Sequence, residues 1–144
     1  MMSENIVKDR IFLSMPCEDA TLEEGKEIGL QLMRALLESR DGIGLAANQI
    51  GIQKKVCLIH VNTPVLLINP IIVSASGTVE YEEACLSFPG ESVKTNRFAD
   101  IKVIADNHEE VLRFSRDKNL LECICVQHEI DHLNGATMHN RRRP

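Results

Sequence analysis

The sequence predicts an α+β fold, with largely antiparallel sheets set between an N-terminal helix and a C-terminal metal-binding helix. Three observations carry this expectation. A helical period runs from residue 21 to about 40. Short β-branched runs fill residues 55–114. The stretch Gln127-His128-Glu129-Ile130-Asp131-His132-Leu133-Asn134-Gly135 reads H-E-x-x-H. Strands gathered between helices, and not alternating with them, favour antiparallel pairing. The length, 144 residues, suits one domain over 1–144.

Residues 1–20 show no period and read as an extended lead-in. Thr21-Leu22-Glu23-Glu24 is a capping box that opens the first helix. Ile28, Leu32, Ala35 and Leu36 then recur at helical spacing, and Met33 and Leu37 widen the stripe. Gly25 and Gly29 weaken this helix slightly, and Asp41-Gly42 stops it. Gly42 to Gly51 reads as a loop with close-set glycines. It lacks the Gly-Lys-Ser/Thr of a phosphate loop. Strands are expected over 55–61 and 65–68, and another starts at 71–73. Ser74 to Gly77 reads as a turn. Further strands follow over 78–83, 92–98, 100–105 and 111–114, with Ile101, Val103 and Ala105 on one face. Asn119 is the expected cap of the metal helix, placed at about 119–134, and Gly135 its end.

Composition excludes several classes. Net charge is −5, so the chain as a whole does not resemble a DNA-binding protein. No apolar run approaches membrane-spanning length, and the N-terminus carries no signal-peptide core, so a cytoplasmic location is expected. Five cysteines at irregular spacings, without an export signal, read as free thiols. Cys57 lies in an apolar run, and Cys123 and Cys125 precede the H-E-x-x-H stretch where packing suits them better than ligation.

The chemistry concentrates in the H-E-x-x-H stretch. On a helix His128 and His132 stand one turn apart on one face and can hold one metal ion. Glu129 lies beside the first ligand, placed to act on water without ligating. Two ligands are one short of a catalytic site, which uses three protein ligands and one open position. Cys85, between a strand and a turn in Glu83-Ala84-Cys85-Leu86-Ser87, is the strongest candidate for the third.

Three stretches in this order resemble the peptide deformylase family. Gly42-Ile43-Gly44-Leu45-Ala46-Ala47-Asn48-Gln49 is similar to its G-x-G-L-A-A-x-Q. Glu83-Ala84-Cys85-Leu86-Ser87 is similar to its E-G-C-L-S, and the H-E-x-x-H stretch to its Q-H-E-x-D-H-L-x-G. The sequence departs from the pattern at Ala84, where the family usually has Gly. The nine residues after Gly135 match compact, phage-like members lacking a C-terminal helix. The resemblance implies a hydrolase that removes the formyl group from N-terminal formyl-methionine of nascent polypeptides. It implies one divalent ion on Cys85, His128 and His132, Fe²⁺ in the cell with Zn²⁺, Ni²⁺ or Co²⁺ as substitutes. Glu129 is the implied general base, and the Gln49 amide and Leu86 N–H the implied oxyanion donors.

The resemblance also implies a substrate pocket. Gly44 lets a peptide backbone approach and pair like an added strand. Ile43, Tyr81, Leu121 and Cys125, with the His128 ring, surround an apolar slot for methionine. Leu121, Cys125 and His128 share a helix face on spacing alone. Glu83 and Arg97 are candidates for an ion pair supporting the Cys85 loop. Two other classes share some features. A zincin-type endopeptidase shares H-E-x-x-H, but no further His or Glu ligand follows and Cys85 argues against it. An inactive binding protein on the same scaffold would not need Glu129, Gln49 and three ligands together. The expected state is a monomer acting on N-formylmethionyl peptides. Arg141-Arg142-Arg143 has two readings, a weak electrostatic tether to ribosomal RNA or a tail that is solvated or folded back on an acidic surface.

Overall fold

The computed structural model describes residues 6–39 and 42–144. The elements run α1 (Arg10–Leu13), α2 (Leu22–Glu38), β1 (Gly44–Ala46), a 3₁₀ turn (Ala47–Ile50), β2 (Val56–Ile59), β3 (Val65–Ile68), β4 (Ile71–Ser76), β5 (Val79–Glu83), β6 (Val93–Arg97), β7 (Asp100–Ile104), β8 (Leu112–Ser115), α3 (Arg116–Leu133) and a 3₁₀ turn (Met138–Arg141). Sheets of order β1-β2-β3, β4-β7-β8 and β5-β6 surround α3. Every paired strand is antiparallel. The fold is therefore α+β, as the sequence leads one to expect.

The α2 helix opens on the expected capping box, with Thr21 and Glu24 exchanging side chain-to-backbone bonds at 3.0 and 2.8 Å. Ile28, Leu32 and Leu36 face β2 and β3 in one apolar cluster with Leu45, Val56, Leu58 and Ile68. Burying each of these helix side chains contributes about 1.5–3 kcal/mol. Gly25 and Gly29 cost helix propensity but allow close packing. A Cβ on Gly29 would fall 2.8 Å from Leu66. The helix ends at Glu38, short of the expected residue 40; Arg40 and Asp41 lie outside the described residues.

Three expectations about local structure need correction. The lead-in is not wholly extended, because Asp9 accepts from the Ile11 and Phe12 N–H groups and caps α1. Part of the glycine-containing loop is strand β1, since Gly44 to Ala46 pair with Cys57 to Ile59. Ser74 to Ser76 are not a turn. They continue β4 past a bulge between Ile72 and Ser74, and Gly77, at φ 69°, makes the turn. The C-terminal tail takes the folded-back form, one of the readings the sequence left open, with Met138 buried and Arg142 bridged to Thr95 while residues 140–144 stay exposed.

The α3 helix is not amphipathic. Residues 123–133 are all buried, polar ones included. A helix buried on every side must satisfy its polar side chains internally, and that need marks the site. Its first turn is separate from the rest. Asn119 breaks the helical backbone at φ −166° and accepts from Glu122 N at 3.0 Å, so the expected cap is present with an extra turn before it. Gly135, at φ 80°, follows the helix end. A Cβ there would meet Ser14 O at 2.5 Å, so both conformation and space require glycine.

Candidate metal centre and cleft

The α3 helix brings His128 and His132 to one face, their ring centroids 5.0 Å apart. The segment after β5 brings Cys85 against them, with Sγ 3.3 Å from His132 Nε2. Ligand atoms of Cys85, His128 and His132 all lie within 4.8 Å of one another, and all three residues are buried. Ala84 is exposed, and Asn69 is the only non-glycine with positive φ among the described residues. The backbone at Ala84 thus does not need the glycine that usually stands there.

The donor set fits a divalent cation of borderline softness, one thiolate and two imidazoles. The His128 Nδ1–H points at Glu83 Oε1, 2.8 Å away, which leaves Nε2 for the ion. Burial opposes charge on His128, but bonds to Cys85 and Glu83 outweigh it and raise its pKa well above the ordinary value. Burial, with the neighbouring His128, pushes His132 well below its usual range, so its ring is neutral.

Glu129 points into the same space without joining the ligand group. It is 3% exposed, and its Oε1 has no hydrogen-bond partner. Burial pushes its carboxyl up to about 7, against the opposing charge of His128. Gln49 enters from the 3₁₀ turn. Its Oε1 accepts from Ala46 N at 2.9 Å, which aims Nε2 at Ser87 Oγ (3.1 Å) and Cys85 Sγ (3.5 Å).

A cleft of about 450 Å³ opens over these groups. Gly44, Gln49, Cys85, Leu86, His128 and Glu129 line its floor. Ile43, Tyr81, Leu121 and Cys125 form a largely apolar wall. All the residues named from the sequence for the slot therefore meet in one place. A Cβ on Gly44 would sit 2.5 Å from Cys125 Sγ and 2.8 Å from Glu129 Oε2, so a side chain there would collide with the cleft floor.

Beneath the cleft lies a buried charge network. Arg97 forks Glu83 through Nε (2.6 Å) and Nη2 (2.8 Å), and Thr95 Oγ1 donates to Glu83 Oε2 at 2.6 Å. Burial raises the Glu83 carboxyl, but the bonds from Arg97 and His128 outweigh it and hold the pKa at about 2. Sequence reasoning paired Glu83 with Arg97 but gave no part to several neighbours. Arg97 also reaches Asp131, Ser87 anchors Gln49, and Asn48 donates to the His132 carbonyl at 2.7 Å. Ile124 lines the cleft as well. Asp131 lies inside the H-E-x-x-H stretch, and its buried position on the helix is the signal that could have found it.

Comparison with known proteins agrees with this geometry. The family model described as polypeptide deformylase matches residues 5–144. A peptide deformylase of Aquifex aeolicus is 35% identical over 151 aligned positions, covering 98% of this chain and 88% of its own. One from Pseudoalteromonas translucida is 38% identical and covers 82% and 72%. Among solved structures, the class I type b peptide deformylase of Acinetobacter baumannii superposes with a TM-score of 0.84 at 28% identity, over 95% of this chain and 97% of that one. A probable peptide deformylase of the Synechococcus phage S-SSM7 gives 0.81 at 32% identity, over 94% and 97%.

Fold and site together define a metal-dependent hydrolase of the H-E-x-x-H type. The chain belongs to the polypeptide deformylase family, whose members remove the formyl group from the N-terminal methionine of nascent polypeptides. That sets aside the endopeptidase reading. No helix among the described residues is long and apolar enough to cross a membrane.

Proposed function

We propose that Cys85, His128 and His132 hold the divalent cation, Fe²⁺ in the cell, and that Glu129 is the general base of deformylation. The observation that carries this reading is the convergence of the three ligand atoms within 4.8 Å of one another, with Cys85, His128 and a Glu129 whose Oε1 is unpartnered lining the cleft beside them. A divalent ion bound there supplies Lewis-acid chemistry, acidifying a water and polarising a carbonyl. Glu129 accepts a proton from the attacking water, whose oxygen adds to the formyl carbon. The Gln49 amide and the Leu86 N–H donate to the carbonyl oxygen as it gains negative charge. As the C–N bond breaks, Glu129 returns the proton to the leaving nitrogen. The products are formate and a peptide with a free methionine amine.

Gly44 and strand β1 take the substrate backbone, and Ile43, Tyr81, Leu121 and Cys125 take the methionine side chain. The apolar wall of the cleft supports this. In this reading the chain works as a monomeric single domain in the cytoplasm, where formylated chains are made. Its basic tail offers a weak contact to ribosomal RNA. The contact is weak because Arg141 and Arg143 are already paired with Asp131 and Glu80. Incubation with a formyl-Met peptide should release formate at a rate that falls on chelation and recovers on metal addition. No release from metal-loaded protein would leave a binding protein on this scaffold.

Cys85→Ser tests the ligand set. An alkoxide is a poorer match to this cation than a thiolate, so the variant should lose most of its metal and activity. Elemental analysis beside wild type reads both the stoichiometry, expected at one ion per chain, and the identity of the ion. Unchanged metal content and turnover would remove Cys85 from the site.

A further inference from the structure

Arg141 lies outside the cleft, yet it closes a chain of charged contacts that starts at His128. His128 Nδ1 donates to Glu83, Arg97 forks Glu83, and Arg97 Nη1 donates to Asp131 Oδ2 at 2.5 Å. Arg141 then grips Asp131 in its own fork, Nε to Oδ2 and Nη2 to Oδ1, both at 2.9 Å. A carboxylate held at one oxygen can rotate about its last bond. One held in a fork has its plane set. With that plane set, Oδ2 meets Arg97 from one direction. The rigid, planar Arg97 passes this constraint to Glu83, and Glu83 orients the His128 ring.

The tail presents Arg141 independently of the ion pair. Met138 is buried against Leu13, Phe88 and Val93, Asn140 accepts from Thr137 N at 2.9 Å, and Arg143 N donates to Lys94 O at 2.8 Å. These contacts fix the 3₁₀ turn on either side of Arg141, so its side chain arrives at Asp131 already placed.

We infer that Arg141 is a positioning residue for the metal centre, locking Asp131 and, through Arg97 and Glu83, setting the direction in which His128 faces the cation. The inference rests on the metal reading above. If wild type binds no cation, that reading fails, and Arg141 is not what failed it.

The test compares Arg141→Gln, Arg141→Lys and Arg143→Gln in the Co²⁺-loaded enzyme. Arg143→Gln removes a tail cation paired with the exposed Glu80 and serves as the control. Two readouts are taken, the Co²⁺ dissociation constant by chelator competition and the visible Co²⁺ absorption bands. Arg141→Gln should weaken Co²⁺ binding about three- to tenfold, below the ten- to hundredfold typical of a direct partner of a ligand. It should also shift the bands, which report ligand geometry and not global stability. Arg141→Lys keeps the charge but not the fork, and should resemble Arg141→Gln. Should Arg141→Gln fail to fold, Arg141→Lys carries the same expectation. Unchanged affinity and bands in the Arg141 variants, full rescue by lysine, or an equal effect of Arg143→Gln would each overturn the positioning role.

Discussion

Glu129→Gln is expected to retain its metal and lose turnover by about 10²–10⁴-fold, the usual contribution of a positioned acid–base group. Glutamine keeps the size and shape of the side chain in a site where Glu129 is almost wholly enclosed. The proposed ligand atoms belong to Cys85, His128 and His132, so the substitution removes none of them. It does remove a buried, cleft-lining carboxylate whose Oε1 has no hydrogen-bond partner. A carboxyl raised to about 7 by burial is well matched to taking a proton from water and returning it to an amine near neutral pH. The measurement pairs elemental analysis with the rate of formate release. Near wild-type turnover at full metal loading would end the general-base assignment.

Arg97→Met should be the most destabilising single change near the site. It leaves Glu83 and Asp131 without the buried cation that both contact. Glu83 and Arg97 side chains are 3% and 2% exposed, so water cannot replace the lost partner. Breaking a buried pair by removing one member costs about 3–5 kcal/mol, or roughly 10–15 °C in Tm for a chain of this size. The loss should depend on pH with a definite sign. The folded Glu83 pKa lies at about 2, below its ordinary 4.5, so its pairing stabilises fully above pH 4.5 and progressively less as the pH falls toward 2. Denaturation of wild type and variant at matched metal loading should therefore show their widest gap above that pH and a narrowing gap in acid. A difference under 1 kcal/mol at neutral pH, well short of the cost of breaking a buried pair, would mean that Arg97 is not a keystone.

The sequence by itself determined the features that are local along the chain. One helical turn separates His128 from His132, so any helix over that stretch puts both imidazoles on one face. The Thr21–Glu24 box and the Asn119 cap are contacts over three residues, and both form as their residue types require. The resemblance carried by the three short stretches around Gly44, Cys85 and His128 named many of the residues that line the cleft, Ile124 not among them. Only the tertiary structure decided which distant charges meet. Glu83 reaches Arg97 because β5 and β6 pair Val79 with Arg97 and Tyr81 with Thr95, a register that turns Val93, Thr95 and Arg97 inward. Asp131 carried no assigned role until the tail folded back and set Arg141 against it. A short-range pattern is written in residue spacing because the backbone of a helix or strand has a fixed period. A contact between residues far apart in sequence depends on how sheets and helix pack, and a charged residue reads as solvated until that packing removes the water around it.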